Sequence, residues 1–143
     1  MFGAASPPSD DPSAWYNPVM HRSRLGGFSI DCENADLPKA ASFWSAALGM
    51  AVAGSDGDNY LRLDASARDI SMEVQRVQHP SRLHLDIESD DVEAEVQRLE
   101  QLGAKRVARV QTWVVLEAPT GQRFCVVDAK RSLEGVPGAQ SWP

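Results

Sequence analysis

Phe28-Ser29-Ile30-Asp31, followed by Asp36, returns further along the chain as Leu83-His84-Leu85-Asp86, followed by Asp91. Each copy leads into an apolar-periodic stretch closed by Leu-Gly, at Leu48-Gly49 and again at Leu102-Gly103. Later, Ser71-Met72-Glu73-Val74 is echoed by Arg123-Phe124-Cys125-Val126. A repeat of about 50 residues speaks of architecture before it speaks of function. It also makes Ser29, Glu73, His84 and Cys125 equivalent positions, of which only some carry metal-ligand chemistry.

Phe28, Ile30 and Cys32 alternate with Ser29, Asp31 and Glu33, the period of a half-buried strand. Asp36 suits an N-cap and Pro38 a first helical turn. Leu37, Ala40, Ala41, Trp44 and Leu48 then keep helical spacing up to Gly49, a C-terminal stop. Strands are expected around Val52, over 60–64 and over 70–77, with Ser55-Asp56-Gly57-Asp58-Asn59 as a turn. The second copy repeats the order. A strand at 83–88 leads to an acidic cap at Asp90-Asp91, with Glu93 in a capping arrangement. Val92, Val96, Leu99 and Leu102 make a helical stripe, and strands near 105–109, 112–117 and 123–128 complete the copy. The order β-α-β-β-β therefore appears twice, which favours an α+β sheet with its helices on one face.

The 143 residues suffice for one domain, and the hydrophobic fraction of 43% can fill a core. Fourteen Lys and Arg against 20 Asp and Glu give a net charge of -6 without a basic cluster, so no nucleic-acid partner is expected. No apolar run approaches the roughly 18 residues of a membrane span. Two cysteines, Cys32 and Cys125, without CxxC spacing, fit a reduced, cytoplasmic protein. Residues 1–24 read as a flexible tail rich in Pro and Ser, with Trp15, Tyr16 and Val19 either incidental or an anchor. Residues 131–143 read as a second, irregular tail.

Ser29-Ile30-Asp31-Cys32, Ser42-Phe43-Trp44-Ser45-Ala46-Ala47-Leu48-Gly49, Val74-Gln75-Arg76-Val77, His84-Leu85-Asp86-Ile87, Leu102-Gly103-Ala104 and the run from Ala118 to Val127 occur in the order seen in one family. Over about 25–130 the chain resembles the glyoxalase, or vicinal-oxygen-chelate, superfamily, and within it the glyoxalase-like domains. The resemblance implies two βαβββ modules, about 25–78 and 79–130, whose sheets curl into one mixed sheet with a central cavity and helices outside. It also implies a divalent-metal site shared by the first and last strands of each module. Those positions are Ser29, Glu73, His84 and Cys125 here. The turn that usually reads Asp-Pro-x-Gly-Asn is Ala118-Pro119-Thr120-Gly121-Gln122.

Ser29 offers only a neutral hydroxyl, which makes Glu73 and His84 the metal candidates, with Cys125 as a third ligand if it binds as thiolate. The bland alternatives are a Glu73–His84 hydrogen-bonded couple across neighbouring strands and Cys125 as a small core residue. Strand parity adds Asp31 and Asp86 on the cavity face, with Tyr60, Arg62, Ser71, Gln75, Trp113 and Val115, while Leu61 and Leu63 face the helices. The aspartates either serve the cavity or pair with Arg62 as structural bridges.

The reading that follows is a small-molecule binding module with a degenerate metal site and no cofactor. Its ligand would meet Ser29, Tyr60, Arg62, Glu73, Trp113 and Cys125. The alternative is a metal-dependent lyase, isomerase or dioxygenase using Glu73, His84 and Cys125. Metal-free acid/base catalysis by His84 with Asp86 or Asp31 is a third class, and partner binding through Trp15 and Trp142 a fourth. Exposed sheet edges suggest a homodimer.

Overall fold

The structure, a computed structural model, describes residues 20–143; Trp15, Tyr16 and Val19 lie outside them. The chain begins its sheet with a long strand, β1 (His21–Glu33), and continues with α1 (Leu37–Leu48), β2 (Val52–Ser55), β3 (Tyr60–Leu63) and β4 (Ser71–Val77). The second half repeats this as β5 (Arg82–Ser89), α2 (Val92–Gln101), β6 (Lys105–Val110), β7 (Trp113–Glu117) and β8 (Arg123–Asp128), and β9 (Gln140–Trp142) ends it. No helix among the described residues is long and apolar enough to cross a membrane.

Each helix starts where a side chain satisfies its free N–H groups. Asp36 accepts from the Lys39 N–H at 3.2 Å and Asp91 from that of Ala94 at 3.0 Å. Gly49, at φ 68°, ends α1 in the left-handed conformation that glycine adopts without cost. Glu93 does not close a capping box as expected; its carboxylate binds Arg106 and Arg109 instead. The Asp91 N–H that such a box would bind already donates to Ser89 Oγ at 3.1 Å.

The strands join in the order β2-β3-β4-β1-β5-β8-β7-β6. Within each half the first and last strands run parallel (β1 with β4, β5 with β8) and the other neighbours run antiparallel. The halves meet along the antiparallel β1–β5 seam. One apolar core lies under α1, where Ile30, Leu63 and Val74 meet Leu37 and Trp44. The other lies under α2, where Val96 meets Val114, Leu116 and Val126. Both cores occupy the same face of the sheet, so the opposite, curled face is left free of helices.

The ends of the chain differ from the sequence reading. β1 begins at His21, inside the segment read as a tail, and residues 140–142 form β9, paired with His21–Ser23. What holds them is a buried carboxylate. Glu95 on α2 is completely inaccessible and receives His21 Nε2 at 2.7 Å, Ser23 Oγ at 2.9 Å and the Arg98 guanidinium at 2.7 and 2.8 Å. Burial alone would raise the Glu95 carboxyl's pKa, but hydrogen bonds from Arg98, His21 and Ser23 outweigh it and hold it below the usual range. Trp142 Nε1 donates to Ser23 Oγ at 2.9 Å, and Arg98 stacks 3.9 Å over the indole.

This anchoring turns 129–139 into a strap. β8 lies beyond β5, whereas β9 pairs with the edge of β1 away from β5, so the connection must cross both strands. It crosses the curled face. Arg131 lies 3.7 Å from Glu88 and 3.8 Å from Asp69, and the Pro137 carbonyl accepts from Arg24. Arg24 and Glu88 are register partners, and Glu88 shares the parity of His84 and Asp86. Leu133 is fully buried beneath the crossing.

Gly27 sits at the centre of the curled face between Ser71 and Asp86. A Cβ there would lie 2.1 Å from the Ser71 carbonyl oxygen, backbone that cannot yield without moving β4. Gly27→Ala is therefore expected to lower stability by about 3 kcal/mol in urea unfolding, the upper range for overpacking. A change below about 0.5 kcal/mol would mean that the β1–β4 spacing is looser than described.

Candidate functional site

The register of the strands sets out the curled face in rungs, one for every second residue. The first is Tyr60–Gln75–Asp31–Arg82 and the second Arg62–Glu73–Ser29–His84. The third is Ser71–Gly27–Asp86–Cys125–Val115. The fourth is Arg24–Glu88–Val127, which the strap covers, and Trp113 joins it because the next residue, Val114, pairs with Val126. Rungs are roughly 7 Å apart, so the trough is roughly 20 Å long. One end is walled by the strap, and the other opens beyond Tyr60 and Gln75.

Parity thus places the expected residues on this face, while Leu61 and Leu63 turn to the α1 core. Two pairings weighed as structural alternatives do not form. Glu73 and His84 are not on neighbouring strands: β1 lies between them, and Ser29 fills the position between their backbones. Arg62 pairs with Asp56 at 3.7 Å and with neither aspartate. Tyr60 and Trp113, both expected to line the cavity, stand at opposite ends of the trough.

The floor is organised about His84. Its Nδ1 donates to Asp31 Oδ2 at 2.8 Å, and its Nε2 lies 3.4 Å from Asp86 Oδ1. Burial by itself would lower the imidazole's proton affinity, but hydrogen bonds to Asp31, Asp86 and Cys125 reverse this and push it up to about 12. His84 is therefore a fixed imidazolium at neutral pH, and a poor proton shuttle. Arg82 at 3.6 Å and His79 at 3.8 Å also approach Asp31 Oδ2, and neither was singled out from sequence. Arg82-x-His84-x-Asp86 carried the signal, since alternate residues share a face. Asp31 is 2% exposed, and its second oxygen, Oδ1, is buried without a partner.

Across Ser29 the electrostatics reverse. Glu73 is half-buried, and its proton affinity is raised first by burial, then by the negative charges of Asp86 and Asp56, with Arg62 and His84 opposing. Tyr60, whose hydroxyl accepts from Gln75 Nε2 at 2.9 Å, is raised first by burial and then by Glu73.

The donor set tests whether a divalent ion fits. Ser29 is buried and neutral, and Glu73 does not converge with His84 and Cys125. Instead, donor atoms of His84, Asp86 and Cys125 lie within 4.8 Å of one another. Asp31 on Nδ1 orients the ring behind them, as carboxylates do behind metal-bound histidines. Among the described residues, an ion fits only in this displaced three-donor set, and binding would require Nε2 and the thiol to give up their protons.

A family model described as "Glyoxalase-like domain" matches residues 28–127. The chain belongs to this family. Its fold is that of the vicinal-oxygen-chelate superfamily. Similar solved structures include a hypothetical protein from Bacillus halodurans (TM-score 0.62, 14% identity, 77% of this chain and 96% of that one). Methylmalonyl-CoA epimerase from Mycobacterium tuberculosis aligns with TM-score 0.58 at 14% identity, over 73% of this chain and 87% of that one. Homoprotocatechuate 2,3-dioxygenase from Brevibacterium fuscum, solved with 3,4-dihydroxyphenylacetate, aligns with TM-score 0.55 at 16% identity, over 73% of this chain and 36% of that one. At these identities the likeness is one of fold. No curated protein matches the chain. The strap and β9 lie outside the matched family region.

Because His84 binds its proton more tightly folded than unfolded, the associated stability is complete below about pH 6.5 and is lost as pH rises towards 12. Ring 15N NMR should show His84 doubly protonated throughout roughly pH 6 to 9, outside the ordinary histidine range. In Asp31→Asn a titration step should enter that window. A wild-type His84 that titrates near neutrality would contradict the description.

Proposed function

We propose that this glyoxalase-like protein binds a small organic molecule in the trough, between Tyr60 at the open end and the strap at the closed end. The observation that carries the reading is the polar floor left uncovered on one face while both helices pack on the other. On it, His84 is a fixed cation flanked by Asp31 and Asp86, and Glu73 stands one strand beyond Ser29. Such a floor orients a ligand through a few placed polar groups. Nε2–H of His84, held only loosely by Asp86, donates to a ligand oxygen; Glu73 and Asp86 accept; Tyr60 and Arg62 border one side, and Cys125 and Trp113 the other. If proton transfer occurs, Glu73, whose proton affinity is raised, suits it better than His84, Asp86 or Asp31. No cofactor is required.

A metal-dependent lyase, isomerase or dioxygenase is the second reading, favoured by the convergence of His84, Asp86 and Cys125. In it the ion would supply Lewis-acid polarisation of a ligand oxygen. Asp31 would hold the ring's orientation, and Glu73 would face the ligand rather than the ion.

The protein is further proposed to act as a cytoplasmic homodimer that binds neither nucleic acid nor membrane. Support for the dimer is not the sheet edge, because β6 carries Lys105, Arg106 and Arg109. It is Leu83 and Leu85, 65% and 46% exposed on the helix-bearing face between the two halves. Sedimentation at micromolar concentration should give twice the 15.6 kDa chain mass, and a monomer would overturn this.

Two measurements separate the readings. In a thermal-shift screen of small metabolites, at least one compound should raise the melting temperature, and Glu73→Gln should weaken it about tenfold, some 1.4 kcal/mol. A screen without hits would remove the binding reading. Metal analysis of untagged protein should find less than about a tenth of an equivalent, with no gain on adding zinc, nickel, manganese or iron; stoichiometric metal lost in Cys125→Ser would establish the second reading instead.

A further inference from the structure

Trp113-Val114-Val115-Leu116 on β7 and Phe124-Cys125-Val126-Val127 on β8 are apolar without alternation. A strand packed on one face alternates apolar with polar, whereas an unbroken apolar run belongs to a strand covered on both faces. Here the sheet supplies one cover. Val114, Leu116, Phe124 and Val126 pack in the core under α2. Trp113, Val115, Cys125 and Val127 turn to the curled face, which carries no helix. The register extends this surface onto β6, where Ala108 stands beside Val115 and Val110 beside Trp113. The third and fourth rungs thus end in six apolar side chains, two rungs deep and three strands wide, with no charge among them. Apart from Cys125 they are half-buried or exposed. The corresponding strands of the first module present Arg62, Glu73 and Gln75 instead.

The size of this wall decides what kind of body covers it. Six side chains on a lattice of roughly 7 by 10 Å present on the order of 100 Å². Each partner of a specific protein interface gives roughly 800 Å². A small molecule fits this area and a second protein does not. The edge of the wall next to β5 then sets the polar chemistry. Donor atoms of Cys125, His84 and Asp86 lie within 4.8 Å of one another, so the apolar block ends beside two hydrogen-bonding groups. Both are accessible, with 13% of the His84 side chain and 18% of the Asp86 side chain exposed. His84 Nε2 stands 3.4 Å from Asp86 Oδ1, too far for a strong charge-assisted bond. A hydroxyl beside them accepts from Nε2–H and donates to Asp86, which serves both at once. A carboxylate there would face Asp86 and Glu73, and an ammonium would face the ring N–H. Arg123, the guanidinium on the same face of β8, is already taken by Glu117 at 2.9 Å.

We propose that the β7–β8 wall is a ligand subsite for a compact apolar body carrying one neutral hydroxyl, which accepts from His84 Nε2–H and donates to Asp86. The proposal rests on the reading that the trough holds a small molecule, and it names that molecule's class.

The test uses 2-naphthalenemethanol, 2-naphthoate, 2-naphthylmethylamine and glycerol. The first three share an apolar body and differ in charge, while glycerol keeps hydroxyls without the body. Binding to the full chain is followed by 1H–15N NMR shifts at low-millimolar concentration, a range suited to fragments of this size. The naphthalenemethanol should bind about tenfold more tightly than either charged probe and should shift the Val115 and Val127 amides, and glycerol should not bind. Val115→Thr and Val127→Thr keep the side chain's shape, replace one methyl by a hydroxyl on the wall and leave the α2 core untouched. Each should weaken the naphthalenemethanol about threefold. Preference for a charged probe, equal binding of the three naphthyl probes, or indifference to both variants would each overturn the proposal. So would an absence of binding, the result if a second copy or residues 1–19 cover the wall. The trough reading has its own arbiter. A metabolite hit weakened by Glu73→Gln but untouched by the wall variants would leave the floor site standing and the wall subsite refuted.

Discussion

The 2.8 Å hydrogen bond from His84 Nδ1 to Asp31 crosses the seam where the two halves of the sheet meet. It joins side chains 53 residues apart that the repeat alone would have left in separate modules. The bond exists because β1 and β5 run antiparallel, with Ser29 opposite His84 and Asp31 opposite Arg82. Once made, it decides the chemistry of everything around it. The ring becomes a standing cation, Asp86 gains a partner, and Glu73, across Ser29, keeps a burial that Arg62 and His84 offset only in part. A face that reads as half of a metal centre is thereby converted into a charged floor with one unsatisfied oxygen.

Two physical devices keep that floor open. Both cores are built on the other face, where Val74 and Val126 each lie under a helix, so neither helix covers the trough. Gly27 keeps the central strands close without adding a side chain between Ser71 and Asp86. At one end the strap adds a wall, held by Glu95, Arg98 and Trp142 on the far side of the sheet. The groups that shape the cavity's end thus act from the face opposite to the cavity.

Much of this was legible in the chain. Period-two alternation, two capping aspartates and a repeated phrase gave the order of elements, and parity put Asp31, Glu73, His84 and Asp86 on one face. Which strands would be neighbours was not legible. The Glu73–His84 couple, the structural alternative to a ligand role, does not form because β1 lies between β4 and β5, a fact of topology that no local pattern carries. His21-Arg22-Ser23-Arg24 looked like a tail because its alternation is polar, and its burial depends on Glu95 more than 70 residues away. Residues 131–143 looked irregular for a similar reason. A three-residue strand has almost no periodicity, and Trp142 finds its place only against Ser23 and Arg98. His79 and Arg82 were passed over because the first lies in a turn and the second at a strand's first residue.

A crystal structure of the untagged protein, with diffraction recorded across the absorption edges of zinc, nickel, iron and manganese, examines the floor most directly. The account predicts His84 Nδ1 on Asp31, no anomalous scatterer near Nε2, and ordered water or an organic molecule between Tyr60 and Cys125. An anomalous peak bound by His84 Nε2, Asp86 and Cys125 would contradict it, and would make the trough a metal centre in which the imidazolium never forms.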